Sequence, residues 1–140
     1  MSENGTKYED FHQYCDNKGP TLTLVKTTKN KIFGGFTPLN WRSEGKGIND
    51  PDKNTFIFSL NCKKKYNMIK ENNWSIYCQK NNGPNFGNSD FYLKENMKNG
   101  GTYANKDCSF LKDNNLELTG GNGNNEDFET EELEVYKVIY

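Results

Sequence analysis

The chain carries one histidine and four cysteines among 140 residues, and no CxxC pair. A zinc site built from Cys and His needs paired ligands at short spacing. Here His12 stands alone, and Cys15, Cys62, Cys78 and Cys108 are scattered, so no zinc spacing is present. Long apolar runs are missing too. No stretch approaches the ~20 residues needed to cross a bilayer. The first residues are polar and lack a leader pattern. Reduced, partly buried thiols in a cytoplasmic protein are therefore expected rather than two disulfides. No period of solenoid or propeller length recurs.

Charge of one sign is also lacking. Lys and Arg total 18, Asp and Glu 19, for a net charge of −1. That balance makes no electrostatic case for nucleic acid or an anionic membrane. The one basic cluster, Lys63, Lys64 and Lys65, reads as a solvated turn or an edge-strand guard. The acidic run Glu126, Asp127, Glu129, Glu131, Glu132 and Glu134 reads as a solvated loop entering a strand, or as a surface for a basic partner.

What the chain has is aromatic bulk. Hydrophobic residues make up only 32%, yet aromatics reach 14%, with nine Phe, eight Tyr and two Trp. Each buries roughly 150–250 Å², so a few large side chains can fill one core. The length suits one domain over residues 1–140. The excess of Asn and Lys fits AT-rich coding sequence of the kind found in protists.

Residues 7–16 predict a short helix with Phe11, Tyr14 and Cys15 on one face. Gly19 and Pro20 end it, with Asn17 or Gly19 in the left-handed closing position. TLTLVK (21–26) alternates, with Leu22 and Leu24 on one side, and KIFGGFT (31–37) returns to make a hairpin. Residues 43–54 read as a loop. In TFIFSLN (55–61), Phe56, Phe58 and Leu60 share one face, and Ile57 lies opposite among polar positions. YNMI (66–69) and WSIYCQ (74–79) read as an antiparallel pair, NNGPNFGNSD (81–90) as a long turn, and DFYLK (90–94) as a strand. Asn99-Gly100-Gly101 reads as a turn. A short strand is expected near 109–111, then a glycine-asparagine loop over 119–125. The apolar end ELEVYKVIY (132–140) is expected at the centre of a sheet, and its deletion should be fatal. Trp41 and Trp74 are expected in the core. Seven or eight short strands with glycine-rich turns predict a mainly β chain with minor α. The expected form is a two-sheet antiparallel β-sandwich flanked by one or two short helices.

Chemistry is harder to find. His12 and Cys15 lie three apart on the helix, and a thiol nucleophile needs such a base within hydrogen-bond reach. No oxyanion-hole loop adjoins them, so a surface histidine beside a half-buried thiol is the preferred reading. Gly45-Lys46 and Gly120-Gly121-Asn122-Gly123 lack the context of a phosphate loop. Asn49, Asp50 and Asp52 start like a calcium loop without its glycine or closing glutamate. No catalytic residue, metal ligand or cofactor site is assigned.

Three blocks nevertheless line up with one family. FHQYCDNKGPTLTLVK (11–26) with IFGGFTPLNW (32–41), then GPNFGNSDFYL (83–93), then LEVYKV (133–138), resemble TLDc domains in the family's order. The resemblance implies a β-sandwich with flanking helices and a non-enzymatic role. It further implies resistance to oxidative damage and binding to soluble-sector subunits of the vacuolar proton-pumping ATPase. Localisation would be cytoplasmic, peripheral to endolysosomal membranes through a partner. The family's first strand, an LLY-like run, is expected to be missing here, through a shortened variant or a truncated gene model, and its loss would expose an edge. Family-motif positions offered for partner contact are Gly34, Gly35, Gly83, Gly87, Asp90 and Glu134. For the glycines, and Pro84 with them, a backbone role is preferred. Two other functions stay open: a direct thiol redox protein with a reactive cysteine, and a substrate-recruiting module of a ubiquitin-ligase assembly.

Overall fold

A computed structural model of the chain describes residues 8–68, 74–103, 110, 116–119 and 125–139. The elements run α1 (Tyr8–Cys15), β1 (Thr21–Thr27), β2 (Ile32–Thr37), β3 (Lys46–Ile48), β4 (Phe56–Ser59) and β5 (Lys64–Asn67). They continue with β6 (Ile76–Cys78), β7 (Asn85–Phe86), β8 (Phe91–Leu93), β9 (Asn99–Tyr103), α2 (Leu116–Thr119) and β10 (Asn125–Lys137).

All strand pairs are antiparallel, in the order β3-β6-β7-β8-β9-β10-β1-β2-β4-β5. The long β10 belongs to both halves of this array. Its first residues, Asn125–Glu129, pair with β9, and Thr130–Lys137 pair with β1. A register break opposite Lys26 and Thr27 leaves Glu131 as the extra residue. Such a bulge bends and twists a strand. The two halves fold over each other, and the fold is the expected mainly β sandwich.

Aromatic rings join the layers. Phe11 on α1 meets Trp41 (ring centroids 5.4 Å apart), Trp41 meets Phe86 (5.5 Å), and Phe86 stacks on Phe91 (4.9 Å). Phe33 on β2 then meets Phe91 (5.3 Å) and Phe128 on β10 (5.2 Å). Each such contact adds about 0.5–1.5 kcal/mol beyond its buried area. The Trp41 indole N–H donates to Thr21 Oγ1 at 2.8 Å, so the buried ring is satisfied.

The hairpin of β1 and β2, helix α1 and the central last strand stand where the sequence puts them. Asn17 and Gly19 both have positive φ after α1. Several expectations are corrected. Tyr14 is 61% exposed, while Phe11 and Cys15 are buried. The loop over 43–54 contains β3, because Gly47 has no Cβ and Trp74 packs on its backbone. Trp74 is thus an edge residue, 40% exposed, and not core. β5 and β6 do not pair with each other: β5 pairs with β4, and β6 pairs with β3 and β7. The long turn over 81–90 contains β7. Gly100 and Gly101 lie inside β9, since the Phe128 and Tyr92 rings take the space of their missing side chains. The acidic run lies within β10 rather than in a loop. Of the strand expected near 109–111, only Phe110 is described, and it is buried outside any strand. Of the glycine-asparagine loop expected over 119–125, Thr119 ends α2 and Asn125 starts β10, and 120–124 lie outside the described residues.

Candidate interaction face

Side chains alternate faces along a strand. In the half formed by β10, β1, β2, β4 and β5, the alternation points the unexpected way. Thr21, Thr23, Val25 and Thr27 of β1 are buried against the opposite half, while Leu22 and Leu24 are half-buried outside. On β4, Ile57 is fully buried with Ser59, and Phe56 and Phe58 point outward. None of these four outward residues belongs to the cluster packed on the core.

The cause is size. The opposite half sends in Phe86 and Phe91 as well as the Trp41 ring, so β2 is small where Phe86 enters, with Phe33 and Ile57 buried beside it. Gly35 marks the closest approach: a Cβ there would lie 2.6 Å from the Phe86 ring. Inward hydroxyls find partners, as Thr37 and Thr55 do with each other (3.0 Å). Thr27 Oγ1 accepts from the Lys29 and Lys31 amides. Only Thr23 Oγ1 is buried without a partner among the described hydroxyls.

Strand pairing arranges the outer face in rows. One row runs Tyr136, Leu22, Phe36, Phe56, Asn67 across β10, β1, β2, β4 and β5. The next runs Glu134, Leu24, Gly34, Phe58, Lys65. Gly34 leaves room for the Phe58 ring, whose Cζ lies 2.8 Å from where a Cβ would stand. A third row holds Glu132, Lys26 and Ile32. There Lys26 reaches Glu131 at 4.0 Å. At one end Tyr136 stands 47% exposed. At the other, a groove of about 440 Å³ opens among Phe36, Pro38, Phe56, Lys53, Lys65 and Asn67. The Lys65 ammonium rests 4.3 Å from the centre of the Phe56 ring, a cation–π geometry.

Of the family-motif positions, the rows bring together Gly34 and Glu134, on either side of Leu24. Gly35 faces the core. Gly83, Gly87 and Asp90 sit buried in the turn around β7. Gly87 has a φ of 70° and donates its amide to the Ser75 carbonyl at 2.7 Å. The fully buried Asp90 carboxylate accepts the Phe110 amide at 2.7 Å and the Asn88 amide at 3.2 Å. These three residues shape and tie the turn. Leu22, Leu24, Phe36, Phe56, Phe58 and Tyr136 carry no surface signal in the sequence, because aliphatic and aromatic residues in a strand read as core until the facing layer is known.

The His12 ring is committed elsewhere. Nδ1 lies 2.8 Å from Asp16 Oδ1, and Nε2 lies 3.0 and 2.9 Å from the carbonyl oxygens of Gln79 and Asn82. It thus ties α1 to the segment after β6. Burial pushes the Cys15 and Cys78 thiols up to about 11, opposite to the depressed value a thiolate nucleophile needs. Cys62 is exposed. No three His, Cys, Asp or Glu residues converge as a metal site among the described residues. A further cavity of about 500 Å³ adjoins Thr28, Lys29 and Phe128, with Lys94 and Asp127 paired across it at 3.7 Å.

The family model described as the TLDc domain matches residues 1–139. The chain belongs to the TLDc family. It is also 46% identical over 46 residues to the zebrafish (Danio rerio) protein named MTOR-associated protein MEAK7. That match covers 33% of this chain and 10% of the relative.

Proposed function

We propose that this TLDc chain is a non-enzymatic protein-binding module whose outer face, centred on Leu22, Leu24, Phe36 and Phe58, receives the partner. One observation carries the reading: while Phe33 and Ile57 face in, the half-sheet turns Leu22, Leu24, Phe36, Phe56 and Phe58 away from its own core. Rows of half-buried apolar residues rimmed by charge are the usual anatomy of a protein-binding surface. By family resemblance the partner is a soluble-sector subunit of the vacuolar proton-pumping ATPase, and the setting is resistance to oxidative damage in the cytoplasm. The name of the zebrafish relative adds association with mTOR as a second partner class to test for this chain.

At Cys15 and Cys78, a direct thiol mechanism is disfavoured by their raised pKa. Capture from lysate by the folded chain, read by mass spectrometry, tests the main reading. The wild-type chain should enrich proton-pump subunits, and a Leu22→Ser/Phe36→Ser variant of equal helix and strand content should not. Equal enrichment by both would remove the outer face from the account. No pump subunit with either would remove the pump.

A further inference from the structure

We infer that two copies of this chain associate face to face through the same outer face, about a two-fold axis lying along β2. The inference rests on reading that face as a binding surface, and it names self-association as what occupies the face when no other partner does.

Three features point to a second copy. The first is charge. Across the five strands, the acidic side chains Glu132 and Glu134 sit on β10, and Lys65 sits on β5. A two-fold axis along the middle strand exchanges left and right, so each Glu134 meets the partner copy's Lys65 in the same row. The second is shape. Tyr136 projects at the β10 end of its row, and the groove of about 440 Å³ lies at the β4–β5 end of that row. The same rotation seats each Tyr136 over the other copy's groove, against Phe56 and the Lys65 stem. The third is the centre. Leu22 and Leu24 of one copy fall over Phe56 and Phe58 of the other, and Phe36 meets its own counterpart on the axis. A self-complementary patch of this kind defines a closed two-fold dimer. Sheets packed face to face keep their strands within about 30° of each other, which this axis allows.

Size sets the strength. Five strands about 4.8 Å apart make a face roughly 24 Å wide. That is small for a permanent dimer and suits weak, reversible association. Closing the face would also compete with any other protein that uses it.

Sedimentation velocity over a concentration series, on the full chain, tests this. The wild type should shift from monomer toward dimer as concentration rises into the hundreds of micromolar, and less so at high salt. Glu134→Lys and Lys65→Glu should each weaken association by roughly tenfold or more, because each places like charges at both symmetry-related contacts. An equimolar mixture of these two variants should recover it to about the wild-type level, since both contacts are then oppositely charged. Tyr136→Ala should weaken it without altering charge, which keeps the test open if a charge variant fails to fold. A wild type that stays monomeric throughout overturns the inference, as does a mixture no better than the separate variants. A wild type that stays monomeric yet captures pump subunits from lysate would sink the dimer alone. The reverse pattern would sink the partner reading alone.

Discussion

The two faces of one half-sheet make opposite use of the same strands. Inward, β1, β2 and β4 present Thr21, Thr23, Gly35, Thr37 and Ser59 among a few large residues such as Phe33 and Ile57. Outward, they present Leu22, Leu24, Phe36, Phe56 and Phe58. The inner face is stable because the opposite half brings the rings and the small residues admit them. The outer face therefore contributes less to stability. Apolar content along a strand does not by itself say which face is core.

The largest expected effect breaks the comparison at its inner side. Phe33→Ala removes a ring packed on Phe91 and Phe128, and should cost about 3–5 kcal/mol in denaturant unfolding. On the outer face, Phe58→Ala should cost only about 1 kcal/mol, since that ring is partly exposed in the folded chain. Equal losses would mean that both faces are core. Gly35→Ala should cost about 1–3 kcal/mol by pushing Phe86 off β2, visible as a lower denaturant midpoint.

The smaller effects sharpen the inner face. Thr23→Val keeps the shape and removes the buried hydroxyl that finds no partner, so a gain of about 1 kcal/mol is expected. The buried thiols give a pH dependence. In the folded chain Cys78 titrates near 11, against 9.0 for the free side chain. Below about pH 9 both states keep the proton. Between about pH 9 and 11 the unfolded chain loses it and the folded chain does not, so stability falls with rising pH. Cys78→Ala should show a shallower decline across that window in pH-dependent melts. A thiol reagent applied to the folded protein should label Cys62 before Cys15 or Cys78.

Much of the scaffold was legible in the sequence. α1, the β1–β2 hairpin and the central place of the last strand follow from spacing and punctuation. The glycines misled where packing overrode local rules. Gly47, Gly100 and Gly101 read as loop or turn, yet each lies in a strand because a ring from elsewhere fills the missing side chain's place. The pairing of β5 with β4, and of β6 with β3 and β7, depends on contacts far apart in the chain, which alternation does not encode. The candidate face was illegible for a related reason. Its residues were visible as an alternating apolar set, but its direction depends on Phe86, Phe91 and Trp41, which come from other segments. Glu134 was found through its family motif, and the structure adds its row with Leu24 and Gly34.

On the proposed reading, a partner binds the face that turns away from the core. Hydroxyl-radical footprinting of the captured complex against the free chain tests it most directly. Phe36, Phe56, Phe58 and Tyr136 should lose reactivity on binding, while Tyr14 and Trp74 keep theirs. Protection at Tyr14 or Trp74, with the outer-face rings unchanged, would contradict it.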